Sequence, residues 1–369
     1  GDRGKNYPKQ DEFYPQGYCL FLNTGNVTKE GLIFEENQFI MKEKDEALRN
    51  GKLKRGDIVY TTRGTVGNAG YYNSSVPYEN VRINSGMVIL RSNGEIVDAR
   101  FLYQILKSEY YRPYFKQYCT GSAQPQLPIK NFSQIYLNVP DIKTQHRIAD
   151  ILSVYDNLIE NNQKQIKLLE EAAQRLYKEW FVDLRFPGHE NTKIVDGVPE
   201  GWRRGLLKEL ISVNYGKDHK KAPDDGNIPV YGSGGLMRKC NKSLFSGEAV
   251  LIPRKGSLNN IMYVDETFWT VDTMFYATMK QPHTAVFVYF FVKAFDMYSM
   301  NIGAAVPSMT TKILDAMDVV IPDKETLEKF DKLTKTYFNK IKTLQGQNER
   351  LKIARDLLLA KLMSGEVEV

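Results

Sequence analysis

Two loops of similar composition follow strand-like apolar segments in different halves of the chain. Residues 61–68 follow the run 57–60, and residues 253–260 follow the run 249–252. Each loop sets one or two cations among hydroxyl and amide side chains and glycines. Arginine and lysine can contact phosphates or guanine, asparagine can pair with adenine, and glycine allows a close backbone approach. An ordinary β-turn would explain either loop alone, but two corresponding loops favour nucleic-acid contacts by Thr62, Arg63, Thr65, Asn68, Arg254, Lys255, Ser257 and Asn259.

Further candidate contacts lie in stretches that mix basic or polar residues with glycine or tyrosine. Two of these stretches, residues 1–10 and 215–221, occupy equivalent places, and a disordered surface tail is the alternative explanation for them. Polar residues at 122–126 and 308–311 could instead lead into the next strand, and residues 231–235 form a glycine-rich loop. The candidates are Arg3, Lys5, Lys9, Ser122, Gln124, Gln126, Lys217, His219, Lys220, Ser233, Ser308 and Thr310.

The motifs of four common catalytic sites are missing from the sequence. Four scattered histidines and no cysteine pair give zinc no ligand set. The Gly-Lys pairs at 51–52 and 216–217 are not followed by the Ser or Thr of a phosphate-binding loop. No two prolines adjoin, which excludes the Asn/Asp-Pro-Pro-aromatic signature of amino-group methyltransferases, and the acid-x-Lys triplets at 141–143 and 218–220 lack a nuclease context. We therefore expect a binding protein without catalytic residues or a metal site.

Length and composition limit the class of protein. The 369 residues are 42% apolar and 25% charged, enough for two ordinary cores, so two or more domains are expected. The longest apolar run, 285–292, is far shorter than the roughly 20 residues of a membrane helix. With no signal-peptide core and no Cys-x-x-Cys pair, the sequence predicts a cytoplasmic protein with reduced thiols. The net charge of +6 lies in residues 1–140 (+4) and 200–322 (+2), and permits a polyanionic partner.

An internal repeat organises the chain. Gly121, Pro125 and Pro140 recur 182 residues later, at 303, 307 and 322. Residues 54–65 also resemble 245–257, and 84–87 resemble 271–274. Chance matches of loop glycines and prolines are the alternative, but each half also closes with a long charged helical segment, which predicts the order globular, helix, globular, helix. Nothing equivalent to residues 200–211 precedes Gly1, so we expect the sequence to begin inside the first globular unit.

Both helical segments carry apolar residues that step alternately by four and three, the spacing of a coiled-coil seam. An asparagine interrupts each seam near its middle, a device that costs stability and fixes register. Prolines followed by Asp141 and Asp323 predict where the helices begin. The pattern favours a paired spacer about 50 Å long, with the core of a single bundle domain as the alternative. The seam residues singled out are Ile159, Asn162, Ile166, Leu169, Leu176, Tyr337, Ile341, Leu344, Asn348 and Leu351.

The helical sequences resemble those of a known family. Residues 145–162 (QHRIADILSVYDNLIENN) and 173–183 (AQRLYKEWFVD) look like the central conserved region of type I restriction-modification specificity subunits, and 357–367 (LLLAKLMSGEV) look like their distal conserved region. The resemblance implies an α/β (α+β) fold: two similar target recognition domains with mixed sheets, separated by two long antiparallel coiled-coil helices with pseudo-two-fold symmetry. The corresponding segments would be 1–140, the helix 141–186, the linker 187–199, 200–322 and the helix 323–369.

The same resemblance implies a division of labour between subunits. The chain would bind no cofactor, and each recognition domain would read one half of a split double-stranded DNA site. Two modification subunits would dock on the helices and methylate an adenine in each half with S-adenosylmethionine, and restriction subunits that use ATP and Mg²⁺ could join them. Half-sites about one helical turn, roughly 34 Å, apart would suit two similar units. A coiled-coil scaffold whose globular ends bind proteins rather than DNA is the alternative.

Overall fold

The computed structural model describes residues 4–35, 37–121, 124–300 and 308–368. Two candidate contact residues, Arg3 and Ser122, lie outside these ranges. The chain divides into two compact units. Unit 1 comprises Gly1–Asn162 with Gly346–Val369, and unit 2 comprises Gln163–Gln345, so each unit takes one part of each long helix.

Unit 1 contains two three-stranded sheets with the orders β4-β1-β7 and β6-β5-β8, and a two-stranded ribbon β2-β3. Its strands are β1 Cys19–Leu22, β2 Val27–Thr28, β3 Gly31–Leu32, β4 Phe39–Ile40, β5 Ile58–Thr61, β6 Ala69–Tyr71, β7 Val81–Ile83 and β8 Met87–Leu90. Its helices are α1 Lys42–Ala47, α2 Ala99–Lys107, α3 Arg112–Lys116 and α4 Ile129–Phe132. The unit also contains the first part, up to Asn162, of the long helix α5, which spans Ile142–Tyr177.

Unit 2 is built on one six-stranded sheet with the order β12-β17-β15-β16-β13-β14, beside the pairs β9-β10 and β11-β18. Its strands are β9 Ile194–Val195, β10 Val198–Pro199, β11 Arg203–Leu206, β12 Ile211–Tyr215, β13 Ile228–Gly232, β14 Gly235–Cys240, β15 Phe245–Pro253, β16 Met262–Thr270, β17 Met274–Met279 and β18 Asp318–Ile321. Its helices are α6 Ala285–Lys293, α7 Thr311–Asp315 and the first part of α8, Lys324–Ser364.

The two units share one strand topology. Strand β5 lies antiparallel between β6 and β8, and β15 lies antiparallel between β16 and β17. Strand β1 pairs antiparallel with β4 and parallel with β7. In the same way, β13 pairs antiparallel with β14 and parallel with the last residues of β16. In unit 2 one long strand, β16, therefore takes the places of both β6 and β7, which explains why unit 1 has two short sheets. The duplicated organisation that the repeat predicts and the α/β fold that the resemblance implies are both confirmed.

Apolar strands and helices form the core of each unit. Seven of the nine residues of α6 are buried, which accounts for the longest apolar run of the sequence. The corresponding helix of unit 1, α2, buries Phe101 and Ile105 in a cluster with Ile148, Leu152 and Leu359 of the long helices. Such a helix packs between a sheet and the helix pair, and positions the sheet on that pair. No helix of the described ranges combines the length and apolar character that crossing a membrane requires.

The long helices α5 and α8 contain 36 and 41 residues, and they pack against each other within each unit. In unit 1, residues 156 and 162 of α5 contact Arg355 and Asn348 of α8, so the helices run antiparallel. In unit 2, the rings of Tyr177 and Trp180 lie 6.4 and 5.8 Å from that of Phe330. Of the predicted seam residues, five are buried and five are half-buried: Ile159, Asn162, Ile341, Leu344 and Asn348, and then Ile166, Leu169, Leu176, Tyr337 and Leu351.

Both helices begin where the sequence predicts. Asp141 accepts hydrogen bonds from the backbone N–H and hydroxyl of Thr144, at 3.2 and 2.7 Å. Asp323 accepts the same pair of bonds from Thr326, at 2.9 and 2.7 Å. Each aspartate thereby satisfies a backbone donor that the first turn leaves free. The first helix is shorter than the predicted segment, because its α-helical part ends at Tyr177 and a π-helical turn, Lys178–Val182, follows.

Candidate nucleic-acid interface

The loop after β5 is fixed by backbone hydrogen bonds from two sides. The N–H groups of Thr62 and Arg63 donate to the carbonyl of Gly86, at 2.8 and 3.2 Å. The carbonyl of Thr62 accepts from the N–H of Leu127, at 2.9 Å. Residues from three separate parts of unit 1 thus define the position of this loop.

The loop after β15 has the same set of bonds. The N–H groups of Arg254 and Lys255 donate to the carbonyl of Thr273, at 2.8 and 3.2 Å, and the N–H of Met309 donates to the carbonyl of Arg254, at 2.9 Å. The two loops are therefore counterparts in hydrogen bonding as well as in composition. We call this shared arrangement the loop frame.

A glycine completes each loop frame. Gly64 and Gly256 both have left-handed backbones, with φ of 71° and 85°, which favours glycine. A Cβ atom on Gly256 would lie 2.7 Å from the Oγ atom of Ser233, and one on Gly64 would lie 3.6 Å from the Oγ1 atom of Thr24. Thr24 is thus the counterpart of Ser233, and sequence reasoning missed it. The signal available was a hydroxyl residue followed by glycine just after an apolar strand in both units.

The loop frame corrects the sequence alignment by one residue. In the sequence repeat, matching Gly56 with Gly247 puts Arg63 opposite Arg254. The hydrogen bonds instead place Arg63 opposite Lys255 and Thr62 opposite Arg254. Strand pairing agrees, because Thr61 pairs with Met87 as Pro253 pairs with Met274.

Thr62 and Asn68 face the interior of unit 1. Thr62 is buried, and its hydroxyl donates to the carbonyl of Gly86 at 3.0 Å. Asn68 is buried as well, and its Nδ2 atom donates to the carbonyl of Val27 at 2.9 Å. Removing the hydrogen-bond partner of a buried polar group costs substantial free energy, because the group is then left unsatisfied away from water. We therefore leave both residues out of the proposed contact surface.

Asn259 and Thr310 have structural roles in unit 2. The side-chain amide of Asn259 donates to Asp296 at 3.0 Å and accepts from the N–H of Met297 at 2.8 Å. The hydroxyl of Thr310 caps α7 by accepting from the N–H of Ile313 at 3.4 Å. Both side chains hold neighbouring turns, so they too are left out of the proposed surface.

The remaining candidates differ in exposure. Lys5 and Lys9 belong to a segment that contacts α1 through Asn6, whose Nδ2 atom donates to the carbonyl of Ala47 at 3.1 Å. In unit 2, the N–H groups of Gly216 and Lys217 donate to carbonyls of 274 and 270, which brings residue 217 to the edge that carries the loop frame. Exposed are Lys5, Lys9, Arg63, Thr65, Gln124, Gln126, Lys217, Lys220, Lys255 and Ser257; half-buried are His219, Ser233, Arg254 and Ser308.

Arg254 is restrained by an aromatic ring. Its guanidinium carbon lies 5.4 Å from the ring centroid of Tyr215, and that ring meets the buried Phe275 edge-on at 5.0 Å. The Nη1 atom of Arg254 also donates to the carbonyl of Asp272 at 3.4 Å. A cation over a tyrosine face is stabilised by about 0.5–1 kcal/mol where solvent has access.

A buried charge cluster holds α2 of unit 1 on the helix pair. The Nζ atom of Lys107 lies 2.5 Å from a carboxylate oxygen of Asp156, and Arg355 lies 2.9 Å from the same oxygen. Burial lowers the pKa of Lys107 to about 8, although the carboxylate opposes this. Burial acts to raise the pKa of Asp156, but the two cations outweigh it and lower that pKa. Removing one member of such a cluster leaves an uncompensated buried charge.

Within the described ranges, no three His, Cys, Asp or Glu side chains approach closely enough to hold a metal ion. The two units share a polar loop surface with an exposed cation at corresponding positions, Arg63 and Lys255.

Comparison with known proteins matches both halves of the chain. Residues 3–171 and 199–352 match the family model described as the type I restriction modification DNA specificity domain. The chain is 24% identical to the MjaIX specificity subunit of Methanocaldococcus jannaschii, over 85% of this chain and 78% of that protein. It is also 24% identical to the HindI specificity subunit of Haemophilus influenzae, over 100% of this chain and 98% of that protein.

A solved structure has the same fold. The type I restriction-modification S subunit from M. genitalium aligns with a TM-score of 0.53 and 18% identity, over 96% of this chain and 91% of that one.

Proposed function

Because the chain belongs to the type I restriction-modification DNA specificity family, we propose that it is the sequence-recognition subunit of such a system. Each unit binds one half of a split duplex site, and the chain directs adenine methylation there by two modification subunits. Restriction subunits can then join the same complex. The chain itself contributes recognition and no catalysis.

One observation carries this proposal: the loop frame occurs twice, with an exposed cation at the same position. Arg63 and Lys255 follow corresponding strands and are held by corresponding backbone bonds. Two such surfaces on one chain suit a DNA site with two separated halves, because each unit can contact the sugar-phosphate backbone of one half in the same way. A protein-binding scaffold would not need an exposed cation at both places.

An exposed apolar stripe on α5 supports docking of a modification subunit. Ile151, Val154 and Leu158 follow one another at helical spacing in unit 1, and their exposed fractions are 37%, 56% and 47%. Contiguous apolar side chains on a solvent-facing helix are typical of protein contact sites. We assign this stripe to the docking of a modification subunit. Val154→Asp should therefore weaken co-purification of the chain with that subunit and leave the folding of the chain itself unchanged.

Duplex binding tests the proposed function directly. The full chain, with and without a modification subunit, is titrated with random and selected duplexes over a range of salt concentrations. We expect sequence preference and an affinity that falls steeply with salt, because each neutralised phosphate contributes about −0.9 to the logarithmic slope. Binding with neither preference nor salt dependence would favour the scaffold.

Two further measurements complete the test. The chain alone should leave DNA unmodified when it is supplied with Mg²⁺ or S-adenosylmethionine, and modification by the purified chain would contradict the non-catalytic role. Methylation mapping of DNA from cells that carry the whole system should then give a motif of two short halves separated by an unspecified gap.

A further inference from the structure

Thr62 and Arg254 occupy the same position of the loop frame but have opposite chemistry. Thr62 is buried and its hydroxyl is bonded inside unit 1. Arg254 is half-exposed, and its guanidinium lies over Tyr215. The next position carries a cation in both units, Arg63 and Lys255. The frame thus has one position where the charge is kept and one where it differs between units.

The kept position has the properties of a phosphate contact. Arg63 and Lys255 are exposed, and neither side chain makes a hydrogen bond or an ion pair with another described residue. A phosphate can bind either cation, arginine often through two hydrogen bonds and lysine as a point charge. Lysine lacks the planar fork with which arginine reads a base edge, so exchange of the two types indicates that shape is unimportant here.

The differing position has the properties of a base contact. The ring of Tyr215, itself fixed by Phe275, lies against one side of the Arg254 guanidinium, and the carbonyl of Asp272 accepts from one nitrogen. A side chain restrained before binding loses less conformational freedom on binding. An arginine fork matches the O6 and N7 acceptors of guanine in the major groove.

We propose that Arg254, held by Tyr215, reads a guanine in the half-site bound by unit 2, whereas Arg63 and Lys255 contact phosphates in their respective half-sites. This inference rests on the proposed function and adds a base identity to it. Unit 1 has no such reader at the corresponding place, because Thr62 is buried there. The two half-sites should therefore differ in their requirement for this guanine.

Selection from a duplex library tests the assignment. The full chain with its modification subunit selects from duplexes randomised in both halves, and the chain with Arg254→Ala or Lys255→Ala does the same. The wild-type chain should select guanine at one position of one half-site. Arg254→Ala should reduce that preference roughly 10- to 100-fold and leave the other half-site unchanged. Lys255→Ala should weaken all sequences alike and lower the salt slope by about one.

Further variants separate the base contact from charge and folding. Arg254→Lys keeps the charge, so the salt slope should stay while most of the guanine preference is lost. Tyr215→Phe should keep the preference, since the ring remains, and Tyr215→Ala should weaken it. If Arg254→Ala keeps the guanine preference and only lowers the salt slope, Arg254 contacts a phosphate and the inference is wrong. If the wild-type chain shows no sequence preference at all, the proposed function itself fails.

Discussion

Asn162 donates a hydrogen bond from Nδ2 to the Oδ1 atom of Asn348 across 2.9 Å, and both side chains are buried between α5 and α8 of unit 1. The bond joins two residues that lie 186 positions apart in the sequence. A polar pair inside an apolar seam is satisfied only when the two asparagines face each other. The pair therefore fixes the register of the helices, at some cost in stability.

Replacing one asparagine should cost more than replacing both. Asn348→Leu leaves the amide of Asn162 buried without its partner, so the free energy of unfolding should fall by about 1–3 kcal/mol. The double variant Asn162→Leu with Asn348→Leu removes both polar groups and should recover most of that loss. Denaturant unfolding monitored by helical circular dichroism measures all three proteins. A double variant less stable than Asn348→Leu would show that the hydrogen bond, rather than the unsatisfied group, dominates.

Features with a short sequence period could be predicted from the chain alone. The four-and-three spacing of apolar residues gave both helices and placed the asparagines on the seam, because helical geometry converts that spacing into one face. Asp141 and Asp323 were predicted as helix starts because capping depends on residues within one turn. The repeat predicted the duplicated organisation, because corresponding strand segments keep a recognisable order and spacing in the sequence even where the loops between them differ in length.

Features that depend on distant partners could not be predicted in this way. Thr62 and Asn68 were expected at the surface, yet their partners are the carbonyls of Gly86 and Val27, more than 20 residues away. That Arg63 and Lys255 occupy corresponding positions in the two units could be seen only from the strand register, since a shift of one residue exchanges the two faces of a strand. Thr24 meets Gly64 only through the fold, because 40 residues separate the two in the sequence.

The two units should act independently on the two halves of a DNA site. Arg63→Ala should lower binding to duplexes in which only the half-site of unit 1 is intact, by about 1 kcal/mol, with a salt slope smaller by about one. Lys255→Ala should do the same for the half-site of unit 2. Fluorescence titrations with shortened duplexes that contain one half-site and end before the other make the comparison, because a phosphate contact does not depend on base sequence. Equal losses on both kinds of duplex would contradict the modular assignment.

Two neighbouring leucines on α5 should respond differently to the same change. Leu169 is half-buried on the predicted seam, whereas 63% of Leu168 is exposed. Leu169→Asp places a charge on the seam and should destabilise the helix pair and disturb complex assembly whatever DNA is present. Leu168→Asp, the matched control, should unfold and assemble like the wild-type chain. Size-exclusion chromatography with a modification subunit reads out assembly, and equal behaviour of both variants would remove Leu169 from the seam.

The start of α8 should make unit 2 sensitive to acid. Partial burial acts to raise the pKa of Asp323, but hydrogen bonds from Thr326 and from the indole N–H of Trp202, at 2.9 Å, lower it overall. A carboxylate whose pKa is lower in the folded state adds stability above its unfolded pKa. That contribution is lost as the pH falls below about 4 and through the folded value.

Asp323→Asn should therefore flatten the acid limb of the stability curve of unit 2. Asparagine retains a capping oxygen but carries no charge, so the variant should be less stable than the wild-type chain at neutral pH and approach it in acid. Asp141→Asn is the matched control: Asp141 caps α5 through Thr144, but its side chain is exposed, so salt and solvent should make its effect smaller. Urea unfolding is measured between pH 2 and pH 7, and hydrogen exchange serves as the read-out for each helix separately. This measurement distinguishes the two sites. A pH dependence unchanged by Asp323→Asn would mean that the pKa of this carboxyl is the same in the folded and unfolded states, and would contradict the lowering expected from its hydrogen bonds.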